Sequence, residues 1–116
     1  MKEITTPEQG KKLMKKETIG KETADFFWKF NQKTEVYSGP FLITNKQKPG
    51  ESDVLAWSLE NLAELVVDSK HGYQIQHTSG YNKVNYIYSY GDRILMNFQD
   101  KSLVNAVFKM VDYLKR

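Results

Sequence analysis

The chain has two histidines, His71 and His77, and these are the residues most able to bind a metal or move a proton. If a strand ran back to residue 71, their even separation would place both rings on one sheet face. A zinc site usually needs further well-placed ligands, and the nearest candidates are Asp68 and Asp92. Two partly exposed polar residues near a turn are the simpler interpretation. The sequence therefore predicts no metal site.

Motifs for phosphate binding and for a nucleophile fail at specific positions. Gly20-Lys21-Glu22 has a faint likeness to a phosphate loop, but that motif needs glycine where Lys15 stands and serine or threonine where Glu22 stands. Ser58 lacks the flanking glycines of a nucleophile elbow. The sequence therefore predicts no catalytic residue and no cofactor. It favours a protein that is not an enzyme.

The lysines of the predicted first helix form a stripe, here called the lysine stripe: Lys11, Lys12, Lys15 and Lys16. Residues 1–33 hold eight lysines and five acidic residues, so this third of the chain carries the whole net charge of +3. A solvated helix face is one interpretation of the stripe. Contact with phosphates or with an acidic partner is the other.

A tyrosine-rich segment, here called the tyrosine strand, contains Tyr86, Tyr88 and Tyr90. A period of two places these rings on one face together with Val84. Rings in such a row could stack on single-stranded bases. However, Asn85 makes the opposite face the more polar one, so we expect the tyrosines to face the helices. An exposed protein-binding surface is the remaining interpretation.

Composition limits the class of protein. The chain of 116 residues predicts a single domain over residues 1–116, and its 13% aromatic content can supply a core. No cysteine is present, which excludes disulfides and thiolate metal sites. The first residues lack the apolar run of a signal peptide, and no stretch is long and apolar enough to span a membrane. We expect a cytoplasmic protein.

The elements that position these residues follow from hydrophobic period and turn signals. Thr6 and Pro7 predict a helix over residues 7–16, and alternation predicts a strand over 24–30. Short strand candidates are predicted at 36–37 and 41–43, before a polar loop over 44–53.

The second half of the chain predicts two helices around a β-meander. A helix over residues 57–68 would stack Glu60, Glu64 and Asp68 as an acidic stripe, a possible partner of the lysine stripe. Strands are predicted at 73–78, 82–90 and 93–98, followed by a final amphipathic helix. The fold class is therefore α+β, a mostly antiparallel sheet made of a meander plus an N-terminal strand or hairpin, packed by about three helices on one face.

Four short motifs occur in a characteristic order along the chain. The first two are Thr6-Pro7-Glu8-Gln9-Gly10, followed by Leu13, and Thr23-Ala24-Asp25, followed by Trp28. The last two are Ala56-Trp57-Ser58-Leu59, followed by Leu62 and Leu65, and Ala106-Val107-Phe108-Lys109-Met110-Val111, followed by Leu114. In these the chain resembles a group of small uncharacterised proteins encoded by phages, prophages and mobile elements of gut bacteria. That group has no assigned activity, so the resemblance implies no site residues. It favours a host-interaction or accessory role.

The sequence thus favours a non-enzymatic accessory or binding domain that acts through protein–protein contact, with another protein or as a homodimer. Abundant tyrosine and tryptophan suit interfaces. The alternative is weak nucleic-acid binding through the lysine stripe, with the tyrosine strand as a stacking surface. An enzyme of unknown type is the least favoured hypothesis.

Overall fold

The chain forms three helices and six strands over residues 3–115, the part that this computed structural model describes. In chain order the elements are α1 (Pro7–Met14), a 3-10 turn (Lys21–Thr23), β1 (Phe26–Asn31), β2 (Val36–Leu42), β3 (Val54–Ala56), α2 (Leu59–Glu64), β4 (His71–Thr78), β5 (Tyr81–Tyr88), β6 (Arg93–Asp100) and α3 (Leu103–Leu114). None of the helices in this part is long and apolar enough to cross a membrane.

Helix α1 begins where the sequence predicts. The Thr6 hydroxyl accepts a hydrogen bond from the Gln9 amide at 3.2 Å, and the Gln9 side chain accepts one from the Thr6 amide at 3.0 Å. This reciprocal capping box satisfies amides that the first helical turn leaves unpaired. Gly10 lies directly against β3, where a Cβ atom would overlap the carbonyl oxygen of Leu55. The close approach of α1 to the sheet therefore depends on that glycine.

The first sheet has the strand order β2-β1-β3, and both pairings are antiparallel. The predicted candidates at 36–37 and 41–43 belong to one continuous strand, β2. Strand β3 falls between the predicted loop over 44–53 and the predicted helix over 57–68, where the sequence predicts no element. All of its residues are buried, and Leu55 pairs with Phe27 of β1.

The second sheet is the predicted β-meander, with the order β4-β5-β6. Tyr73, Val84 and Phe98 lie on the side covered by α3, where Val84 is fully buried and the other two pack against the core. The α+β class and the packing of helices against sheet are confirmed. The strands, however, form two three-stranded sheets, because the N-terminal hairpin pairs with β3 and not with the meander.

Helix α2 is shorter than the predicted helix over 57–68. It spans Leu59–Glu64 and is capped by Ser58, whose hydroxyl accepts from the Asn61 amide at 3.4 Å. Trp57 precedes the helix and is fully buried in the cluster that joins α1, β3, α2, β5 and α3. Asp68 follows the helix, so the prediction that it stacks with Glu60 and Glu64 on one helix face is wrong.

Candidate functional site

The lysine stripe does not act as a single free surface. The Lys16 ammonium lies 3.0 Å from the Asp112 carboxylate and donates to the Asp112 carbonyl at 3.2 Å, which ties the end of α1 to α3. The Lys11 ammonium lies 5.0 Å from the centre of the Tyr37 ring on β2, a cation–π distance. Lys12 and Lys15 are exposed. The anchor of Lys16 is in α3, whereas the predicted acidic partner was the second helix.

The tyrosine strand divides into a buried part and an exposed part. Tyr86 packs against the core beside the fully buried Val84, as expected for the face that meets the helices. Tyr88 is half-buried at the end of β5. Tyr90 lies in the following turn, where it is 67% exposed and contacts the Tyr88 ring at a centroid distance of 5.5 Å.

The histidines lie on the same side of β4 but have separate partners. His71 begins the strand, and its Nδ1 atom lies 3.0 Å from the Asp68 carboxylate, while its ring stacks on Tyr86 at 5.2 Å. His77 contacts the Asn82 side chain near the other end of the strand. Within residues 3–115, no group of three or more histidine and acidic side chains could hold a metal ion.

Electrostatics around Tyr86 keep its phenol protonated near neutral pH. Burial raises the pKa of Tyr86, and the nearby Asp68 carboxylate raises it further. The pKa of Asp68 is lowered, chiefly by the hydrogen bond from the Lys70 amide and further by its bonds to His71. The cluster therefore pairs a carboxylate with an imidazole beside a neutral ring, an arrangement that fixes the start of β4.

Two open grooves lie on the first half of the fold. The first, of about 560 Å³, has an apolar floor that includes Met14 and Ile43, and its rim carries both Lys48 and Glu51. The second, of about 710 Å³, lies along the β1–β2 hairpin. Because the rim of the first groove carries both a lysine and a glutamate, its charge favours neither an anionic nor a cationic ligand. Neither groove brings a histidine to its wall.

The side of the second sheet that faces away from α3 is the candidate site, here called the outer face. It consists of Gly72, Gln74, Gln76, Thr78, Tyr81, Lys83, Asn85, Ile87, Ile94, Leu95, Asn97 and Gln99. These residues alternate along their strands with those that pack on the helices. Side chains on the edge strands, such as Gln74 and Asn97, are exposed, so the outer face meets solvent.

Aliphatic side chains gather at one end of the outer face, and the half-exposed Tyr81 lies at the other end. Ile94 pairs with Ile87, and the register shifts at this point so that Leu95 is an extra residue, a β-bulge. Ile94 is 50% exposed and Leu95 is 42% exposed, whereas Ile87 is only 8% exposed. Tyr90 lies in the turn at this end, but its ring packs on Tyr88, on the opposite side of the sheet.

Asn85 lies at the centre of the outer face and is fully buried. It pairs with Gln74 on one side and Asn97 on the other. Neither its Nδ2 nor its Oδ1 atom has a hydrogen-bond partner among the described residues. Leaving such an amide unsatisfied costs about 1–3 kcal/mol. The chain itself covers both atoms, so a partner docked on the outer face would not reach them.

The outer face is nearly uncharged. Its central and flanking positions carry amides and aliphatic side chains, and Lys83 is the one lysine, arginine or acidic residue among its members. Surfaces depleted of charge and enriched in apolar groups are typical of the centre of protein interfaces. The face can therefore exchange hydrogen bonds and bury aliphatic surface.

Sequence reasoning identified Asn85 only as a mark of the polar side of β5. Its alternation with Val84 and Tyr86 predicts the correct direction of the side chain. Its burial depends on neighbours from β4 and β6, which are remote in sequence. The bulge at Leu95 likewise leaves no signal in the chain that a period of two would detect.

Comparison with known proteins gives no further assignment, because no family model, no curated protein and no solved structure matches this chain. The resemblance to small proteins of phages, prophages and mobile elements stays a prediction.

Proposed function

We propose that this protein is a non-enzymatic binding domain that acts through protein–protein contact, with the outer face as its contact surface. The observation that supports this proposal is the pair of exposed aliphatic side chains at one end of that face, where Ile94 and Leu95 are 50% and 42% exposed beside Ile87. Contiguous exposed apolar groups rimmed by polar ones mark interaction sites.

The nucleic-acid alternative has less support. Lys16 is held by Asp112, so it is not positioned to contact phosphates, and Tyr86 packs on the core side of the sheet. Without these residues the lysine stripe and the tyrosine strand lack the shared groove that tracks a nucleic-acid backbone. The proposed function therefore rests on the uncharged outer face.

The proposal predicts that polar substitution of Ile94 and Leu95 abolishes partner capture. A tagged protein would be used to recover partners from lysate, and an untagged copy of the chain itself would be included. We expect the Ile94→Ser/Leu95→Ser variant to lose at least about tenfold in recovered partner, since central apolar contacts are worth roughly 1–2 kcal/mol each.

A matched control is Val36→Ser/Leu42→Ser on β2, because Val36 and Leu42 are 58% and 50% exposed on the other sheet. This control should recover the same partner as the unaltered protein. Circular dichroism would verify that both variants are folded. If the control loses the partner equally, or if the Ile94→Ser/Leu95→Ser variant keeps it, the outer face is not the contact surface.

A further inference from the structure

We infer that the free edge of β4 is a second binding site, which takes an extended segment of another protein as an added antiparallel strand. That segment carries a basic side chain opposite Tyr73 and an aliphatic side chain opposite Ile75. Adding a strand to a free sheet edge is a common mode of peptide recognition. The site lies on a different strand from Ile94 and Leu95, so the inference goes beyond the proposed function and does not depend on it.

The hydrogen-bond register of the second sheet shows which main-chain groups of β4 point away from β5. The Ser89 amide donates to the Lys70 carbonyl at 2.8 Å, one residue before β4 begins. Bonded pairs recur at every second residue of an antiparallel ladder, so the even-numbered residues of β4 bond to β5. The amides and carbonyls of Tyr73, Ile75 and His77 therefore point to the free edge, where no described residue bonds to them.

The start of this edge is already occupied by the chain itself. The His71 amide donates to the Asp68 carboxylate at 2.8 Å, and the Asp68 amide donates to the His71 carbonyl at 3.0 Å. These bonds agree with the register, because an odd-numbered residue of β4 directs both groups outward. The edge that a peptide can use therefore begins at Tyr73.

The other sheet edges of the described chain are blocked, as natural proteins usually arrange. Strand β2 contains Pro40 and a register shift. Strand β6 has a bulge, and the Lys109 ammonium donates to its Gln99 carbonyl at 2.9 Å. Strand β3 has three residues, and its Leu55 amide donates to the Met14 sulfur at 3.3 Å. Strand β4 has eight residues with no proline, lysine or bulge, so its edge is open to pairing.

Two carboxylates beside this edge determine the charge of the partner. Burial raises the pKa of the Tyr73 phenol, and the nearby Glu64 and Glu60 carboxylates of α2 raise it further. Both glutamates are exposed, and neither forms an ion pair with a described lysine, arginine or histidine. Directly opposite residues of paired strands share one side of the sheet. A residue opposite Tyr73 therefore points to the side of α2, where a basic group would meet both carboxylates.

The same geometry sets the second position of the partner. Ile75 is half-buried against the core, so an aliphatic side chain opposite it would extend that apolar contact. A second copy of β4 does not fit this edge as well, because residues His71–Thr78 include neither lysine nor arginine. In an antiparallel strand the aliphatic residue comes two positions before the basic one.

A synthetic peptide tests the main-chain part of this inference. The probe is a labelled heptapeptide, threonine–valine–threonine–valine–threonine–arginine–threonine, with blocked ends, and fluorescence anisotropy measures its binding. We expect a dissociation constant of roughly 10–100 µM. Methyl groups on the two valine amides, which face β4, should weaken binding at least about tenfold, because hydrogen bonds are lost. Methyl groups on the threonine amides that flank the second valine, which face away, should change it less than about twofold.

A peptide with glutamate in place of arginine tests the charge. At about 50 mM salt it should bind about five- to tenfold more weakly than the arginine peptide. The Glu60→Gln/Glu64→Gln variant should reduce this difference to less than about twofold. Its matched control is Glu17→Gln/Glu51→Gln, which removes two exposed carboxylates from the first half of the chain and should keep the full difference.

A proline at His77 tests the edge from the protein side. His77→Pro removes an outward amide but no bond to β5, so circular dichroism should show a folded protein that binds the peptide at least about fivefold more weakly. No binding at about 1 mM peptide, equal losses from both methylated peptides, or a charge preference that persists in Glu60→Gln/Glu64→Gln would overturn the inference. Self-association that His77→Pro abolishes, without peptide binding, would show that a second copy occupies the edge instead.

The outer face is tested separately from this edge. The Ile94→Ser/Leu95→Ser variant should bind the peptide as the unaltered protein does, because both substitutions lie on β6. If that variant loses the captured partner and no peptide binds to β4, this inference fails and the proposed function stands. If the peptide binds but the partner is retained, the proposed function fails and this inference stands.

Discussion

Replacing Trp57 with alanine is expected to lower the free energy of unfolding by about 3–5 kcal/mol. The ring is fully buried, and its Nε1 atom donates to the Thr23 hydroxyl at 2.9 Å. The backbone amide of Trp57 donates to the Thr5 hydroxyl at 3.0 Å, so the residue joins three segments of chain. Because a domain is stable by only about 5–15 kcal/mol, this one truncation removes a large part of the total.

Denaturant titration followed by circular dichroism would measure the effect. The matched control is Trp28→Phe, because Trp28 is only half-buried and its indole donates one bond, to the Thr5 carbonyl at 2.9 Å. The free energy of unfolding of that control should fall by about 1 kcal/mol, because one hydrogen bond is lost. A loss below about 1 kcal/mol for Trp57→Ala would show that Trp57 is not at the centre of the core.

Replacing Asn85 with leucine is expected to raise the free energy of unfolding by about 1–3 kcal/mol. The two side chains have the same number and branching of heavy atoms, and leucine removes an amide that is fully buried with no hydrogen-bond partner among the described residues. A single substitution at a buried position rarely raises the free energy of unfolding, since most such substitutions destabilise the folded state. It is expected at a buried polar group that has no hydrogen-bond partner.

The measurement is thermal or denaturant unfolding of the unaltered protein and the variant under the same conditions. Asn97→Leu serves as the control, because Asn97 pairs with Asn85 across the strands but is itself exposed. That variant should change stability by less than about 0.5 kcal/mol. A loss of stability in Asn85→Leu would mean that the Asn85 amide is satisfied within the folded monomer.

Local signals in the sequence predict the elements that depend on short-range chemistry. Thr6 and Gln9 encode the start of α1, and the glycines at 80 and 91 mark the turns of the meander, where both have positive φ angles. The final helix follows from its apolar period, and Val107 and Met110 are fully buried. These features need no knowledge of distant residues, and the structure confirms them.

Features that depend on partners far along the chain were not predictable. Strand β3 spans only Val54–Ala56 and is buried throughout, so it shows no alternation. Its apolar run leads directly to Trp57, and a continuous pattern from Trp57 to Val66 favours one long helix. The division into two sheets follows from the pairing of β3 with β1, which no local pattern encodes.

The candidate site was likewise predictable only where it depends on local sequence. The direction of Tyr86 follows from alternation, and the structure places it against the core as expected. The burial of Asn85 and the exposure of Leu95 both arise from cross-strand geometry, the first from neighbours on either side and the second from a bulge. Residues chosen for chemistry, such as the lysine stripe, proved less informative than an uncharged face that lacks conspicuous motifs.

Amide nitrogen–proton correlation spectra recorded with and without the captured partner test the outer face as a contact surface most directly. As partner is added, the amide signals of Gly72, Ile94 and Leu95 should shift together along one binding curve, while that of Val36 on the first sheet stays constant. Signals of the outer face that do not respond, or shifts confined to the first sheet and α1, would contradict the account.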